Sequence, residues 1–475
     1  MNEIPYTFEG VRSIASIQDE FDASLDTGEH TEVIVRVGGR LLLRRGQGKL
    51  VFGTLHDSSG RVQLFAPVET TPDFEEFAGL SLGDWLGVTG TVMKTRRGEL
   101  SIQVNDWVRL AEARRQFPDK WHGLTDIDTR YRQRYVDLWV TEESRRAFQM
   151  RTRGISLIRR WLEDRGFVEV ETPILQPIPG GALAQPFVTH HNALDTDLYL
   201  RIALELYLKR LIVGGFDKVF EIGRTFRNEG ISPSHNPEFT MLELYQAYGD
   251  YNDMMDLTEQ LVSYLATELT GSTELIHGGR ELNLGAPWRR STLVELVSEN
   301  VGVPVSLETP IEDLRALVAK YTLHVDSSWG SGKLLMELYE KSTEPNIWEP
   351  TFVLDIPKEV SPLARDHRTS PGFTEHADAV VAGRELAPMY SELIDPQEQR
   401  ERLNEQAARK QAGDDEAMTI DEDFLRALDY GMPPTGGLGL GIDRLFMLLA
   451  DVPNIRDVVL FPTLRPEHVA PESKS

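Results

Sequence analysis

Residues 219–248 contain the densest run of side chains that could do chemistry, and they read VFEIGRTFRNEGISPSHNPEFTMLELYQAY. The pattern predicts a strand that ends near Arg227, a polar loop, and a second strand that returns through Phe239. A guanidinium at position 227 could bind a phosphate or a carboxylate through two parallel hydrogen bonds. His235 is a second candidate phosphate partner, and Phe239 could stack on a base. The alternative is a charged hairpin tip that binds no ligand.

A glycine-rich segment, residues 435–447, reads TGGLGLGIDRLFM. Glycines let the backbone approach a ligand closely, and we expect a helix to begin at about Ile442. The spacing differs from that of the GxxxxGK[ST] phosphate loop. Arg444 lies just inside the expected helix, where it could bind an anion. The alternative is a solvated arginine at a glycine-rich helix start.

Two carboxylates, Asp378 and Glu385, lie between these segments and shortly before Tyr390 and Glu392. Carboxylate oxygens are the ligands that Mg²⁺ prefers, and the ion usually shares them with substrate phosphates. The pair is therefore a candidate metal site. Ordinary surface carboxylates are the alternative.

The first part of the chain is predicted to be a small β-barrel. Short apolar runs with turn signals between them occur at 32–44, 49–56, 61–65, 85–94 and 100–107. Strands at this spacing favour a barrel or sandwich, and we interpret residues 30–112 as a closed five-stranded barrel of the OB type. Residues 44–49 and 96–98 are expected to be loops.

The rest of the chain mixes helices and strands. Helices are predicted at 144–165, 252–270 and 392–410, and strands at 167–170, 219–222, 239–244, 351–354 and 379–382. Regular crossover helices do not separate these strands, so we expect an antiparallel sheet with helices, an α+β fold. The predicted domains are a barrel at 1–112, a polar linker at 113–145 and a larger domain at 146–475.

Composition limits the class of protein. The chain has 475 residues, 40% hydrophobic and 26% charged, as is typical of globular proteins with two or three domains. It has no cysteine, which excludes disulfides, thiolate zinc sites and cysteine nucleophiles. The net charge of −25 argues against a general nucleic-acid binder, although residues 94–97 and 130–134 are locally basic. Without an apolar signal segment, a cytoplasmic location is expected.

These segments together resemble a known family. FRNEG followed by HNPEFTMLE is similar to motif 2 of the class II aminoacyl-tRNA synthetases, and GLGLGIDR is similar to motif 3. Residues 151–175 resemble motif 1, whose proline, here Pro173, lies at the family's dimer interface. Residues 120–138, 178–195 and 200–224 and the ending IRDVVLFPTLRPE resemble the lysine-specific branch. The resemblance extends in order over nearly the whole chain.

The resemblance implies an OB domain that binds the anticodon and a catalytic domain built on an antiparallel sheet. The implied enzyme is a cytoplasmic homodimer that joins L-lysine to tRNA(Lys), with ATP and Mg²⁺. Arg227 and Arg444 would be the catalytic residues and hold the ATP phosphates. The remaining positions that match the family's motifs are Glu229, His235, Asn236 and Phe239 for ATP; Asp378 and Glu385 for magnesium; Gly181, Ala203, Glu205, Glu243, Tyr245, Tyr390 and Glu392 for lysine; and Phe52, Gln63 and Phe65 for the anticodon. A role in the barrel core is the alternative for Phe52 and Phe65.

The implied lysine pocket makes chemical sense. Glu205, Glu243 and Glu392 would meet a substrate that carries two ammonium groups, and a charged hydrogen bond contributes about 1.5–3 kcal/mol. An aspartate substrate would bring a further carboxylate against them, so the same residues would disfavour it.

The chain departs from the family pattern at several positions. Pro388 and Met389 stand where an Asn-Gly pair is usual, which removes a side-chain donor and stiffens the loop. Asp378 replaces a usual Glu, and the other departures are Leu204 for Pro, Gln185 for Arg and Gly223 for Asn. Two rival hypotheses follow. One is a paralogue that activates another cationic amino acid or aminoacylates a protein, and the other is a tRNA-binding paralogue without catalysis.

Overall fold

The computed structural model describes residues 4–115, 117, 124–322, 325–327, 329–411, 413 and 417–466. Its internal contacts divide the chain into two compact units, Met1–Glu142 and Glu143–Ser475. Among the described residues, no helix is both long and apolar enough to cross a membrane.

The first unit is built around a closed five-stranded barrel, as the sequence predicts. Its elements are α1 (Ile14–Phe21), β1 (His30–Gln47), β2 (Leu50–His56), β3 (Arg61–Pro67), α2 (Phe74–Ala78), β4 (Trp85–Lys94), β5 (Leu100–Ala111), α3 (Ile127–Arg132) and α4 (Arg134–Val140). The strand order is β1-β2-β3-β5-β4, and β1 closes the barrel by pairing with β4. Alternate residues of β2 and β3 point into the core, because successive side chains of a strand face opposite sides.

One predicted loop of the barrel is wrong. Residues 44–49 were expected to be a loop because they are charged and rich in glycine, but β1 continues to Gln47. Arg44 and Arg45 pair with Gly53 and Phe52 of β2. Both arginines are exposed, so the strand continues without burying their charges.

The segment expected to be a linker, residues 113–145, contains α3 and α4 and the first residues of the next helix. The Asp126 side chain caps α3 by accepting from the Thr129 N–H. Arg134 and Asp137 form an ion pair at 2.5 Å, and both side chains are fully buried. Residues 118–123 lie outside the described part of the chain, and the division at 112 and 145 stays a prediction.

The second unit contains the remaining regular elements. Its helices are α5 (Glu142–Glu163), α6 (Glu205–Val213), α7 (Tyr251–Thr270), α8 (Leu293–Val301), α9 (Ile311–Val318), α10 (Ser331–Leu338), α11 (Pro396–Gln411), α12 (Glu422–Asp429) and α13 (Ile442–Ala450). Its strands are β6 (Val168–Glu169), β7 (Leu175–Gln176), β8 (Val188–His191), β9 (Thr196–Leu200), β10 (Lys218–Phe226), β11 (Glu238–Ala247), β12 (Glu274–His277), β13 (Arg280–Asn283), β14 (Arg289–Thr292), β15 (Thr351–Pro357), β16 (Phe373–Val381), β17 (Arg384–Ser391) and β18 (Thr435–Gly441). A π-helical turn covers Tyr339–Thr343, and 3₁₀ turns cover Glu344–Asn346, Lys358–Val360 and Ile455–Asp457.

An eight-stranded sheet organises this unit, in the order β14-β15-β16-β17-β18-β11-β10-β6. Its neighbouring strands are antiparallel except at the two edges, where β14 pairs with β15 and β6 with β10 in parallel. The predicted α+β fold is therefore confirmed. Helices α5, α7 and α13 contribute buried residues such as Leu162, Leu261 and Phe446 to the large apolar core that also contains residues of the sheet.

The predicted helix at 392–410 begins later than expected. Glu392 forms an isolated β-bridge with Ala364, and α11 starts only at Pro396. Proline is favoured in the first turn of a helix because its missing N–H is not needed there. The Asp395 side chain caps the helix by accepting from the N–H groups of Gln397 and Glu398. Glu392 is thereby left at the end of a strand, where its side chain faces the sheet.

Candidate active site

The β10–β11 hairpin brings the motif 2 residues together. Thr225 pairs with Phe239 in the hairpin register, so Arg227 follows β10 close to the start of β11. The Arg227 guanidinium lies over the Phe239 ring, 5.2 Å from its centroid. The Arg227 N–H donates to the Pro237 carbonyl at 2.9 Å, which fixes the base of the loop.

Helix α13 places Arg444 opposite this loop. Arg444 Nη1 donates to the Glu385 carbonyl oxygen at 2.8 Å, and Nη2 lies 3.4 Å from His235 Nε2. Burial lowers the pKa of His235, and the cations Arg444, Arg227 and Arg384 lower it further. The neutral form of His235 is therefore favoured beside these three arginines, and in that form it can hydrogen-bond without adding charge.

The helix itself is held in place by a buried carboxylate. Asp443 accepts from the Thr240 N–H at 2.7 Å and pairs with Arg151 of α5. Arg151 also donates to the Thr240 hydroxyl at 3.0 Å. These contacts join α5, β11 and α13, so the position of Arg444 is fixed relative to the hairpin.

A cavity of about 190 Å³ opens between the hairpin and α13. All six residues predicted to bind ATP line it, namely Arg227, Glu229, His235, Asn236, Phe239 and Arg444. The buried Oδ1 of Asn236 has no hydrogen-bond partner among the described residues, which leaves an acceptor free for a ligand. Two arginines and an aromatic ring around one cavity suit a nucleotide with several phosphates.

The two candidate metal ligands lie on neighbouring strands beside this cavity. Asp378 of β16 is opposite Pro388 in the register, and Glu385 of β17 lines the cavity. Asp378 Oδ1 lies 3.0 Å from His376 Nε2, so one carboxylate oxygen is engaged by the histidine. No group of three or more His, Cys, Asp or Glu side chains among the described residues is arranged to hold a metal. Two carboxylates fit a magnesium ion that takes its other ligands from substrate phosphates and water.

A third carboxylate, Glu344, lies close to this pair. It accepts from the Glu385 N–H at 3.0 Å. Burial raises the pKa of Glu344 to about 7, and the negative charges of Glu385 and Asp378 add to the rise. The local field is therefore strongly negative, which is the field that a divalent cation would neutralise.

The residues predicted to bind lysine form a second, more enclosed cluster. Glu205 begins α6, Glu243 lies on β11 and Glu392 follows β17, and their residue exposures are 9%, 5% and 2%. Glu243 accepts from the Leu204 N–H at 2.9 Å and from the Tyr245 hydroxyl at 3.1 Å. Burial raises the pKa of Glu243 to about 7 and that of Glu392 to about 8, against the attraction of a neighbouring lysine in the case of Glu392. The cluster can therefore hold protons near neutral pH and lose them to water when a cation binds.

The other predicted pocket residues lie around these carboxylates. A Cβ on Gly181 would lie 3.0 Å from the Glu205 Cβ and 3.1 Å from that of Ala203, so the three are neighbours. Gly181 has φ +86°, a conformation that favours glycine. The Tyr390 ring lies 4.3 Å from that of His376. Burial raises the pKa of Tyr390, and the negative charges of Asp378, Glu205, Glu385 and Glu392 raise it further.

One pocket residue was missed by sequence reasoning. Lys209 is fully buried, and its ammonium lies 2.5 Å from carboxylate oxygens of both Glu205 and Glu392. The spacing of four residues between Glu205 and Lys209 on a helix was a signal that could have found the first contact. The second contact joins distant parts of the chain and carries no local signal.

Two of the departures from the family pattern have a structural reason. A Cβ at Gly223 would lie 2.1 Å from Arg201 Nη2, and Arg201 forms a buried ion pair with Glu221 at 2.6 Å. The Arg201 guanidinium therefore occupies the space of a side chain at position 223. At position 204, the leucine supplies the N–H that binds Glu243, which a proline could not do.

The predicted anticodon residues lie in the first unit. Phe52 and Phe65 pair across β2 and β3, with ring centroids 5.6 Å apart, and Gln63 donates to Ser101 at 2.9 Å. All three alternate with the buried residues of their strands and are partly exposed. They therefore lie on one outer face of the barrel, and neither phenylalanine belongs to the barrel core.

Comparison with known proteins matches two family models to different parts of the chain. Residues 126–465 match the family model of class II tRNA synthetases (D, K and N), and residues 35–110 match that of the OB-fold nucleic acid binding domain. The chain thus belongs to the class II tRNA synthetases. It is 51% identical to the lysine–tRNA ligase of Prochlorococcus marinus (strain MIT 9313), over 98% of this chain and 94% of that protein. It is 52% identical to that of Parasynechococcus marenigrum (strain WH8102), with the same coverage. Within the class, the chain is a member of the lysine–tRNA ligase family.

The glycine-rich strand β18 supplies a direct test of the pocket. A Cβ at Gly437 would lie 1.9 Å from Glu392 Oε1, whereas a Cβ at Gly439, on the same strand, would meet the end of the Met241 side chain at 3.3 Å. The same Cβ would lie 2.7 Å from the Tyr245 ring, so Gly437→Ala should displace both Glu392 and Tyr245 and raise the KM for lysine about tenfold or more, with little change in the KM for ATP. Gly439→Ala is the matched control and should stay near wild type. Steady-state kinetics of ATP–pyrophosphate exchange give both constants, and equal KM values for lysine in the two variants would contradict the assignment of Glu392 and Tyr245 to the pocket.

Proposed function

We propose that the protein is a lysine–tRNA ligase that activates L-lysine with ATP and transfers it to tRNA(Lys). The observation that carries the proposal is a buried cluster of three carboxylates beside a cavity lined by Arg227 and Arg444. The cluster suits the two ammonium groups of lysine, and the cavity suits a polyphosphate. Their proximity matches a reaction between an amino acid and ATP.

In the first step, the lysine carboxylate attacks the α-phosphorus of ATP. A new oxygen–phosphorus bond forms, the bond to the β-phosphate oxygen breaks, and pyrophosphate leaves. Arg227 and Arg444 would stabilise the charge that develops on the phosphates, and Phe239 would hold adenine by stacking. Asp378 and Glu385 would hold a magnesium ion, which when bound supplies positive charge to the phosphates. No side chain has to act as a covalent nucleophile, because positioning and charge stabilisation suffice.

In the second step, a hydroxyl of the terminal adenosine of tRNA attacks the carbonyl carbon of the adenylate, and AMP leaves. The barrel face with Phe52, Gln63 and Phe65 would bind anticodon bases, by stacking on the rings and by a polar contact to a base edge. We further propose a homodimer with Pro173 at its interface, and a cytoplasmic location, where ATP and tRNA are present.

The rival hypotheses differ from this proposal at identifiable residues. A paralogue without catalysis would be expected to lack the arginines or carboxylates of the ATP site, but Arg227, Arg444, Asp378 and Glu385 are all present. A paralogue for another cationic amino acid would be expected to depart from the family pattern near the substrate. Pro388, which lines the cavity and offers no N–H, is such a departure, so the choice of amino acid has to be measured.

The function is tested by ATP–pyrophosphate exchange, with each of the twenty amino acids, ornithine and β-lysine as substrates. We expect strong exchange with lysine alone. Arg444→Ala should lower kcat about 10²–10³-fold, because it removes positive charge that stabilises the transition state. Arg426→Ala is the matched control, because that exposed arginine pairs with Asp423 at 3.1 Å and is absent from the cavity lining. Preferred exchange with another amino acid, or none at all, would overturn the proposal.

The barrel face gives an independent prediction. Phe65→Ala should lower kcat/KM for aminoacylation of tRNA(Lys) about tenfold or more, because stacking on one base contributes about 1–3 kcal/mol. Exchange with lysine and ATP should be unchanged, since it needs no tRNA. Tyr6→Ala, which removes a fully exposed ring of the same unit, should change neither rate. A Phe65 variant that charges tRNA normally would remove this face from the proposal.

A further inference from the structure

The amino-acid pocket contains a cation of its own. Lys209 is 0% exposed, and its ammonium bridges Glu205 Oε1 and Glu392 Oε2, each at 2.5 Å. The same ammonium lies 6.0 Å from the centroid of the Tyr245 ring. A structural lysine would ordinarily keep its charged end in water, because removing an ammonium from water is costly. Here the charged end lies among the residues that would receive the substrate.

The bridge leaves specific oxygens for a ligand. Each of the two glutamates gives one oxygen to Lys209, so each keeps a second oxygen. The second oxygen of Glu392, Oε1, is buried and has no hydrogen-bond partner among the described residues. A buried carboxylate oxygen without a partner is costly, and a bound ammonium group would satisfy it.

The net charge of the cluster also matches the two ammonium groups of lysine. Glu205, Glu243 and Glu392 carry three negative charges when ionised, and Lys209 cancels one of them. The remaining two match the two ammonium groups of lysine. The substrate carboxylate is left for an arginine of the adjoining cavity.

Resting on the function proposed above, we propose that Lys209 is a positioning and specificity-determining residue of the lysine pocket. Its ammonium holds the carboxylates of Glu205 and Glu392 in place and reduces the negative charge of the pocket to the two units that lysine neutralises. Lys209 acts through these carboxylates and does not itself react.

The other charged groups around Glu392 fit this role. Helix α6 contributes Glu205 and Lys209, β11 contributes Glu243 and Tyr245, and β17 contributes Tyr390. On its other side, Glu392 borders a cavity whose charged residues are Asp250, Asp253, Arg365, Arg368 and Glu375. Arg368 is engaged there by Glu375 and by Asp250. Among the described residues, Lys209 is the cation that forms an ion pair with Glu392, at 2.5 Å.

Removal of Lys209 should therefore change the pH at which the Glu392 carboxyl group loses its proton. Burial alone would lower the pKa of Lys209, but Glu205 and Glu392 raise it above its usual value, so it stays charged. Lys209 in turn lowers the pKa of Glu392, which burial has raised to about 8. Without Lys209, Glu392 should keep its proton to higher pH, and lysine should bind well only at higher pH.

The test compares Lys209→Met with wild type in ATP–pyrophosphate exchange between pH 6.5 and 9. The KM for lysine should rise about tenfold or more at pH 7. The defect should shrink as the pH rises, and the KM for ATP should stay unchanged. Arg210→Met is the matched control, because this neighbour on α6 loses an ion pair with buried Asp421 at 2.5 Å, away from the pocket. Arg210→Met should leave the pH profile of the lysine KM unchanged.

A double variant keeps the proposal testable even if Lys209→Met alone folds poorly. Glu205→Gln together with Lys209→Met removes one negative and one positive charge, so the buried cluster keeps its formal net charge. Compared with Glu205→Gln alone, we expect this double variant to have a higher KM for lysine at pH 7 and a difference that shrinks about threefold or more by pH 9, because Glu392 has lost its cation. A purely structural lysine would give a difference that is the same at both pH values. That result, or a Lys209→Met defect equal at every pH, would overturn the inference. Wild-type protein that does not exchange with lysine would instead refute the proposed function itself.

Discussion

Three carboxylates and one ammonium share a space from which water is largely excluded, and the rest of the catalytic unit is arranged around that constraint. Ionised carboxylates in such a space repel one another and lose hydration, which raises their pKa values unless a cation is close. Lys209 supplies one cation permanently. The remaining charge can be neutralised by protons or by a substrate. Because lysine brings two ammonium groups, its binding relieves the repulsion among the carboxylates of the empty pocket.

The fold serves this arrangement by bringing distant segments to neighbouring strands. Glu243 lies on β11, Gly437 on β18 and Glu392 at the end of β17, and these three strands are adjacent in the sheet. Gly437 lacks a side chain at the point where the Glu392 carboxylate needs room. The Asp443–Arg151 ion pair then holds α13 so that Arg444 lies across the cavity from Arg227. The carboxylate cluster and the arginine-lined cavity are therefore positioned by one sheet.

Much of this could be predicted from the sequence where the signal is local. The alternation of apolar residues in 50–67 predicts the barrel, and the order of polar residues in 219–248 predicts the hairpin with Arg227 and Phe239. Other features depend on contacts between distant residues. The contact between Lys209 and Glu392 has no local signature, and the burial of the Arg134–Asp137 pair cannot be read from a charged segment. For the same reason the space that Arg201 takes at Gly223 is visible only in the structure.

The central claim is that the buried carboxylates hold protons until lysine replaces them. Isothermal calorimetry of lysine binding at pH 7, in two buffers with different ionisation enthalpies, measures the number of protons exchanged. With the pKa of Glu392 near 8 and that of Glu243 near 7, the account predicts release of between one and two protons for each lysine bound. Binding of lysine with no proton release would contradict it, because the carboxylates would then already be ionised in the empty pocket.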